Sequence, residues 1–97
     1  MNNRLIYNNI KALSVYKKVK VGDIERSCGV NAGYMSRFAR QSIRNVRLDL
    51  ILAFAKAFDV TVEELVEVNM TEKINAEIRE REIKELEQKL KELKNGQ

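Results

Sequence analysis

In residues 23–37, the residue types and their spacing indicate a segment that binds a polyanion. They predict a short helix closed by Gly29, a tight turn, and a second helix that starts at Asn31 and ends in basic residues. Glycine adopts the left-handed backbone that closes a helix, because it has no Cβ to clash there. An asparagine side chain accepts a backbone N–H at a helix N-cap. Two helices joined this closely predict a helix-turn-helix, whose second helix fits the DNA major groove.

The distribution of charge supports this interpretation. Residues 1–60 carry 11 Lys and Arg against 4 Asp and Glu, a net charge of +7, whereas residues 61–97 carry 7 against 10, a net charge of −3. The positive part contains the helix-turn-helix, and a positive surface attracts nucleic acid through phosphate contacts and counterion release. We therefore expect the basic residues to bind DNA rather than only to keep the protein soluble.

Composition argues against several other functions. The chain has no His and a single cysteine, Cys28, so a structural zinc site or a His-based catalytic centre is not expected. We expect no enzymatic activity, no cofactor, no metal and no small-molecule substrate. No apolar stretch approaches the roughly 20 residues that span a bilayer, so we expect no membrane partner. A lone cysteine fits a reducing compartment, and we expect a cytoplasmic protein.

The elements that position the turn are predicted to be helical throughout, because the 97 residues contain no Pro, 4 Gly and few alternating β-branched runs. The first helix, over 3–18, has Ile6, Ile10 and Leu13 at helical spacing. The helices of the turn are predicted over 22–28 and 32–40, with Met35 and Phe38 inward and Arg37 and Arg40 outward. A polar loop over 41–47 precedes a fourth helix over 48–58, whose apolar face is predicted from Leu48, Ile51, Leu52, Ala55 and Phe58.

A fifth helix is predicted after Thr61, because Thr61 and Glu64 have the spacing of a capping box. These elements form a predicted domain over 1–68, and a charged helix occupies 69–97. In that last helix Ile83, Leu86, Leu90 and Leu93 are spaced as the a and d positions of a heptad. Self-association as a homodimer is the favoured interpretation; a helix folded back on its own domain and a solvated charged helix are the alternatives. A parallel pair would oppose Glu82 to Glu87 and Lys89 to Lys94, so an antiparallel or mixed arrangement is expected.

The order of these features resembles the lambda-repressor/Cro-like helix-turn-helix family, also called XRE. The resemblance covers about 10–68 and rests on Gly29-Val30, on Gly33-Tyr34-Met35-Ser36-Arg37, and on the segment from Leu52 to Leu65 with its Asp59-Val60-Thr61-Val62-Glu63-Glu64 core. It implies an all-α, five-helix DNA-binding domain, here followed by an extended, coiled-coil-like C-terminal helix.

The resemblance also implies which residues meet DNA. Ala32, Gly33 and Arg37 correspond to positions that face bases, and Asn31 lies near a phosphate or a base. Arg37 has the strongest physical case, because its planar fork can bond guanine O6 and N7 together. Tyr34 either donates to a phosphate or packs on the preceding helix. The remaining candidates are cations that either contact phosphates or are simply solvated: Lys20, Arg40, Arg44 and Arg47.

Five positions depart from the family pattern. Two of them are Val21, where members often have a phosphate-contacting Gln at the start of the second helix, and Gln41, where they have a Gly after the third helix. Many members have a buried Arg–Glu pair where this chain has Ser14 and Ala39; because both charges are absent together, no charge is left unpaired inside. Glu25 stands where the family has a small residue, and a nearby arginine is expected to tether it. The fold prediction therefore stands.

Together these observations predict a sequence-specific transcriptional regulator. It is expected to bind double-stranded DNA at an operator of paired half-sites, as a dimeric repressor of the phage or mobile-element type. Two alternatives remain open from the sequence: a protein-interaction module on the same scaffold, and an antitoxin-type regulator whose C-terminal helix binds a partner protein.

Overall fold

The computed structural model describes residues 2–40 and 47–96, and within these ranges the chain forms six α-helices and no β-strand. The all-α prediction is therefore confirmed. The helices are α1 (Asn3–Lys17), α2 (Val21–Ser27), α3 (Tyr34–Ala39), α4 (Leu48–Phe58), α5 (Val62–Glu67) and α6 (Met70–Asn95). Of the helices in these two ranges, none is long and apolar enough to cross a membrane.

The core forms around α1, which contacts each of the other five helices. Its predicted inward residues Ile6, Ile10 and Leu13 are fully buried, as are Met35 and Phe38 of α3. The remaining buried hydrophobic residues come from the second half of the fold: Leu50, Ile51, Phe54, Ala55 and Phe58 of α4, Leu65 of α5, and Met70 and Ile74 of α6. All these side chains pack into one cluster.

The predicted inward face of α4 is partly wrong. Leu48 and Leu52 are 69% and 51% exposed, and Leu50 and Phe54 are fully buried in their place. Seen from the sequence, α4 is apolar on nearly every side, so its periodicity does not choose one face. Packing against α1, α2 and α5 makes that choice.

Local signals set several helix ends. The side chain of Asn2 accepts the N–H of Leu5 at the start of α1. The predicted capping box is present: the Thr61 hydroxyl accepts the Glu64 N–H at 3.0 Å, and the Glu64 carboxylate accepts the Thr61 N–H at 3.0 Å. Near the end of α1, the Ser14 hydroxyl donates a hydrogen bond to the carbonyl of Val19, which follows the helix. Ser14 thus helps to end the helix to which it belongs.

A buried amide joins α1 to the end of the domain. The Asn9 side chain, fully buried, donates to the carbonyls of Leu65 and Val68 at 2.8 and 2.7 Å and accepts the N–H of Met70 at 2.9 Å. The last turn of α5 and the first turn of α6 each have backbone groups without partners in their own helix. Asn9 satisfies three of these groups at once and thereby holds the junction between α5 and α6 against α1.

Candidate nucleic-acid interface

The turn between α2 and α3 has the backbone geometry that the sequence predicts. Gly29 has a φ of +71°. Its N–H donates to the Arg26 carbonyl at 3.0 Å, and the N–H of Val30 donates to the Glu25 carbonyl at 3.1 Å. This pair of hydrogen bonds is the Schellman motif, which satisfies the last carbonyls of a helix and turns the chain away.

The start of α3 differs from the prediction. The helix begins at Tyr34 rather than at 32, and its N-cap is Gly33, with a φ of +83°, rather than Asn31. The Tyr34 N–H donates to the Asn31 carbonyl at 3.2 Å, so residues 31–34 form a β-turn before the helix. A positive φ at the third position of such a turn is typical of glycine in type II turns. Asn31, Ala32 and Gly33 are all exposed on this turn.

Glu25 connects the two helices of the motif. Its side chain is buried, and one carboxylate oxygen accepts the backbone N–H of Met35 in the first turn of α3 at 2.9 Å. Among the described residues, the hydrogen-bond partner of this carboxylate is thus a backbone group rather than the arginine expected from the sequence. A carboxylate at a helix N-terminus satisfies an N–H that has no partner within the helix and lies at the favourable end of its dipole.

Arg37 lies on the exposed side of α3. Its guanidinium group donates to the Ala32 carbonyl at 3.3 Å, and Nη1 lies 3.6 Å from the point where a Cβ on Gly33 would stand. The guanidinium therefore folds back over the turn that precedes α3. Three of the residues implied by the resemblance, Ala32, Gly33 and Arg37, form one continuous exposed surface.

The other predicted cations are more scattered. Arg40 is exposed at the C-cap of α3, and Lys20 is exposed at the N-cap of α2. Arg44 falls outside the described residues. The structure thus places Lys20 and Arg40 at helix ends that border the motif, and among the described site residues neither of their side chains has a hydrogen-bond partner.

Arg47 already has a partner. It forms a forked ion pair with Asp49, with Nε 3.1 Å and Nη2 2.6 Å from the two carboxylate oxygens. Hydrogen bonding to Arg47 holds the pKa of Asp49 below its usual range, and the same bond raises the pKa of Arg47, with smaller contributions from nearby Tyr34 and Cys28. The Cys28 Sγ lies 4.0 Å from the Asp49 carbonyl oxygen, so the start of α4 lies beside the end of α2. A phosphate at Arg47 would compete with Asp49.

The C-terminal helix presents a second candidate surface. The predicted heptad residues Ile83, Leu86, Leu90 and Leu93 are between 52% and 69% exposed, on a stretch of α6 where all neighbouring side chains are exposed too. Earlier in the same helix, Met70 and Ile74 are buried and Ile78 is half-buried against the core. We refer to Ile83, Leu86, Leu90 and Leu93 as the α6 stripe.

Comparison with protein families agrees with this geometry. A family model for the Cro/C1-type HTH DNA-binding domain matches residues 9–70, nearly two thirds of the chain. Searches of curated proteins and of solved structures give no match. The matched residues run from the buried Asn9 to the first residue of α6 and include the whole of the α2–α3 motif.

Proposed function

The chain belongs to the Cro/C1-type HTH DNA-binding family, and from this premise we propose that it is a sequence-specific transcriptional regulator that binds its operator as a homodimer. The finer assignment is a repressor of the phage or mobile-element type, acting in the cytoplasm where it meets DNA. A repressor of this kind blocks a promoter by occupying it, so it needs no catalytic residue or cofactor.

One observation carries the DNA-binding proposal: the Arg37 guanidinium lies on the exposed side of α3, above the turn that begins the helix. The first turn of a recognition helix is the part that meets base edges in the major groove. A guanidinium group in this first turn can donate two hydrogen bonds to O6 and N7 of one guanine. Ala32 and Gly33 add no bulky side chain, which allows the backbone to approach a base pair or a thymine methyl group.

We assign the surrounding residues to contacts with the phosphates of the DNA backbone. Asn31 and Tyr34 flank the turn and carry groups that can donate to a phosphate, and the cations Lys20, Arg40, Arg44 and Arg47 border the motif in sequence. Phosphate contacts of this kind fix the register of a protein on the duplex without reading its sequence. Arg47 contributes less than a free cation would, because a phosphate has to compete with Asp49 for its guanidinium group.

The homodimer is assigned to the α6 stripe. The four large aliphatic side chains of the α6 stripe are more than half exposed on an otherwise charged stretch of helix. Pairing this stripe with the same stripe of a second copy removes both from water. Two domains joined in this way can occupy two half-sites, which family members need for a stable complex.

Selection from a pool of random duplexes tests the DNA-binding proposal. Sequencing the enriched pool should reveal a half-site repeated with two-fold symmetry, and binding to it should weaken steeply as salt increases. Recovery of no enriched site, together with a co-purified protein partner bound to α6, would favour the protein-interaction alternative.

Sedimentation velocity tests the dimer. Leu86→Glu with Leu90→Glu should shift the protein from dimer to monomer, because buried carboxylates without partners are costly in a helix seam. Gln88→Glu lies off the stripe on the same stretch of helix and should leave the mass unchanged. Truncation after Arg81 is a second test; cutting after Val68 is unsuitable, because it also removes Met70 and Ile74 from the core.

A further inference from the structure

The first three turns of α6 are fastened to the domain at successive points. Asn9 holds the Met70 N–H at the start of the helix, and Lys73 forms an ion pair with Glu64 of α5 at 2.8 Å. Ile74 is buried in the core. Further along, the Arg81 guanidinium donates to the Tyr16 hydroxyl of α1 at 3.1 Å.

These contacts leave no flexible segment before the α6 stripe. The last of them, at Arg81, lies two residues before Ile83, the first residue of the stripe, and the helix continues without interruption through both. A continuous helix is far stiffer than a linker of comparable length, whose ends explore a wide range of separations. The orientation of the stripe relative to the domain is therefore set by the packing of α6 on α1.

The face of α6 that packs on the domain and the face that carries the α6 stripe point in different directions. Ile74 lies on the face toward the domain, and Ile83 follows nine residues later, which at about 100° per residue is half a turn away. Leu90 lies seven residues after Ile83, which by the same geometry is about 20° from it around the helix. A second copy can thus pair with the stripe without displacing α6 from its own domain.

We infer that α6 is a rigid spacer, so that the dimer selects operators by the distance and rotation between their half-sites, and that Tyr16 and Arg81 are positioning residues for this selectivity. The inference rests on the proposed dimeric DNA binding. In a rigid dimer the two α3 helices meet the DNA at one fixed separation, whereas flexibly joined domains tolerate many.

A spacer library tests this inference. The half-site recovered by selection is placed in pairs whose spacers cover every length over about two turns of DNA, roughly 21 bp. The full chain is compared with a variant carrying Gly-Ser-Gly-Ser between Arg81 and Glu82, and with a control carrying the same insertion between Asn95 and Gly96, beyond the stripe.

The full chain and the control should enrich one spacer length at least tenfold over lengths that differ by about half a turn, or 5 bp. The Arg81 insertion should flatten this profile. Tyr16→Phe, which removes only the hydroxyl that Arg81 contacts, should broaden the profile without changing the melting temperature by more than about 2 °C.

The outcomes separate the two proposals. A flat spacer profile for the full chain, while each half-site is still bound, would overturn the rigid-spacer inference alone. An unchanged sharp profile in the Arg81 insertion, with the variant still dimeric by sedimentation, would overturn it as well. An unchanged profile in Tyr16→Phe would remove the assigned role of Tyr16 and Arg81. Recovery of no half-site would overturn both the inference and the proposed function.

Discussion

The carboxylate of Glu25 in α2 accepts a hydrogen bond from the backbone N–H of Met35 in α3 at 2.9 Å. This bond runs from a buried acid to the first turn of the helix that we assign to the major groove. It spans the turn and so connects α2 directly to α3. A position that departs from the family pattern thus joins the two helices of the motif.

Glu25→Ala is expected to destabilise the protein by about 1–3 kcal/mol, because the buried Met35 N–H loses its acceptor. Glu25→Gln keeps an acceptor oxygen and should cost less. Urea denaturation measures both, with the exposed Glu67→Ala as a control that should change the free energy of unfolding by at most about 0.5 kcal/mol. A loss for Glu25→Ala no larger than that of the control would contradict the assignment.

Two glycines of the motif should respond in opposite directions to the same substitution. Gly29→Ala is expected to cost about 1 kcal/mol, because its φ of +71° is unfavourable for a residue with a Cβ even though the space around it is open. Gly22 lies in the first turn of α2, also in open space, and Gly22→Ala should stabilise by up to about 1 kcal/mol. Thermal melts of the pair check the signs; equal effects would show that backbone conformation is not the cause.

Asn9→Ala is expected to be among the more damaging single substitutions in the chain. It leaves the carbonyls of Leu65 and Val68 and the N–H of Met70 without their buried partner, a loss of about 2–4 kcal/mol. The neighbouring Asn8 is exposed, so Asn8→Ala should be nearly neutral. Amide hydrogen exchange at Met70 should accelerate in the Asn9 variant, and unchanged protection there would refute the role given to the amide.

Stability should fall in acid partly through Glu64. Its hydrogen bond with Lys73, with a smaller contribution from the Thr61 N–H, lowers the pKa of Glu64 from 4.5 to about 2. A carboxyl group whose pKa is lower in the folded state than in the unfolded chain stabilises the folded state at pH values above its unfolded-state pKa. This stabilisation is lost as the pH falls from about 5 to about 2.

Glu64→Gln keeps the capping-box acceptor but does not titrate, so it should flatten the dependence of the melting temperature on pH across this range. Glu63→Gln, an exposed neighbour in α5, serves as the control. An NMR titration of the Glu64 carboxyl provides a direct check: a midpoint at or above 4.5 would rule out the proposed stabilisation.

Arg37→Ala is expected to weaken operator binding by about 1–3 kcal/mol and to relax the preference at a single base pair, as the loss of a bidentate base contact does. Arg40→Ala should instead weaken binding to all sequences alike and reduce the salt slope by about 1. Competition binding with a panel of single-base operator variants distinguishes the two. Uniform weakening by Arg37→Ala would reassign that residue to a phosphate.

Features that depend on a few neighbouring residues were predictable. The left-handed Gly29 and the capping box of Thr61 and Glu64 follow from residue types within one turn of helix, and both are present. The prediction misplaces the start of α3 because Asn31, two residues before Gly33, is itself a favoured N-cap residue. The backbone favours Gly33, whose positive φ allows the preceding turn to close by the hydrogen bond between the Asn31 carbonyl and the Tyr34 N–H.

The sequence by itself determined that the chain is helical, that it contains a helix-turn-helix with a basic second helix, and that its last helix carries an apolar stripe, because these features arise from spacing and local backbone preference. Only the tertiary structure decided which face of α4 is buried, what Glu25 and Asn9 bind, and how α6 is fastened to α1. Each of those choices depends on groups in different elements: Glu25 and Met35 lie 10 positions apart on two helices, and Asn9 and Met70 are separated by 61 positions, so no local pattern encodes the pairings.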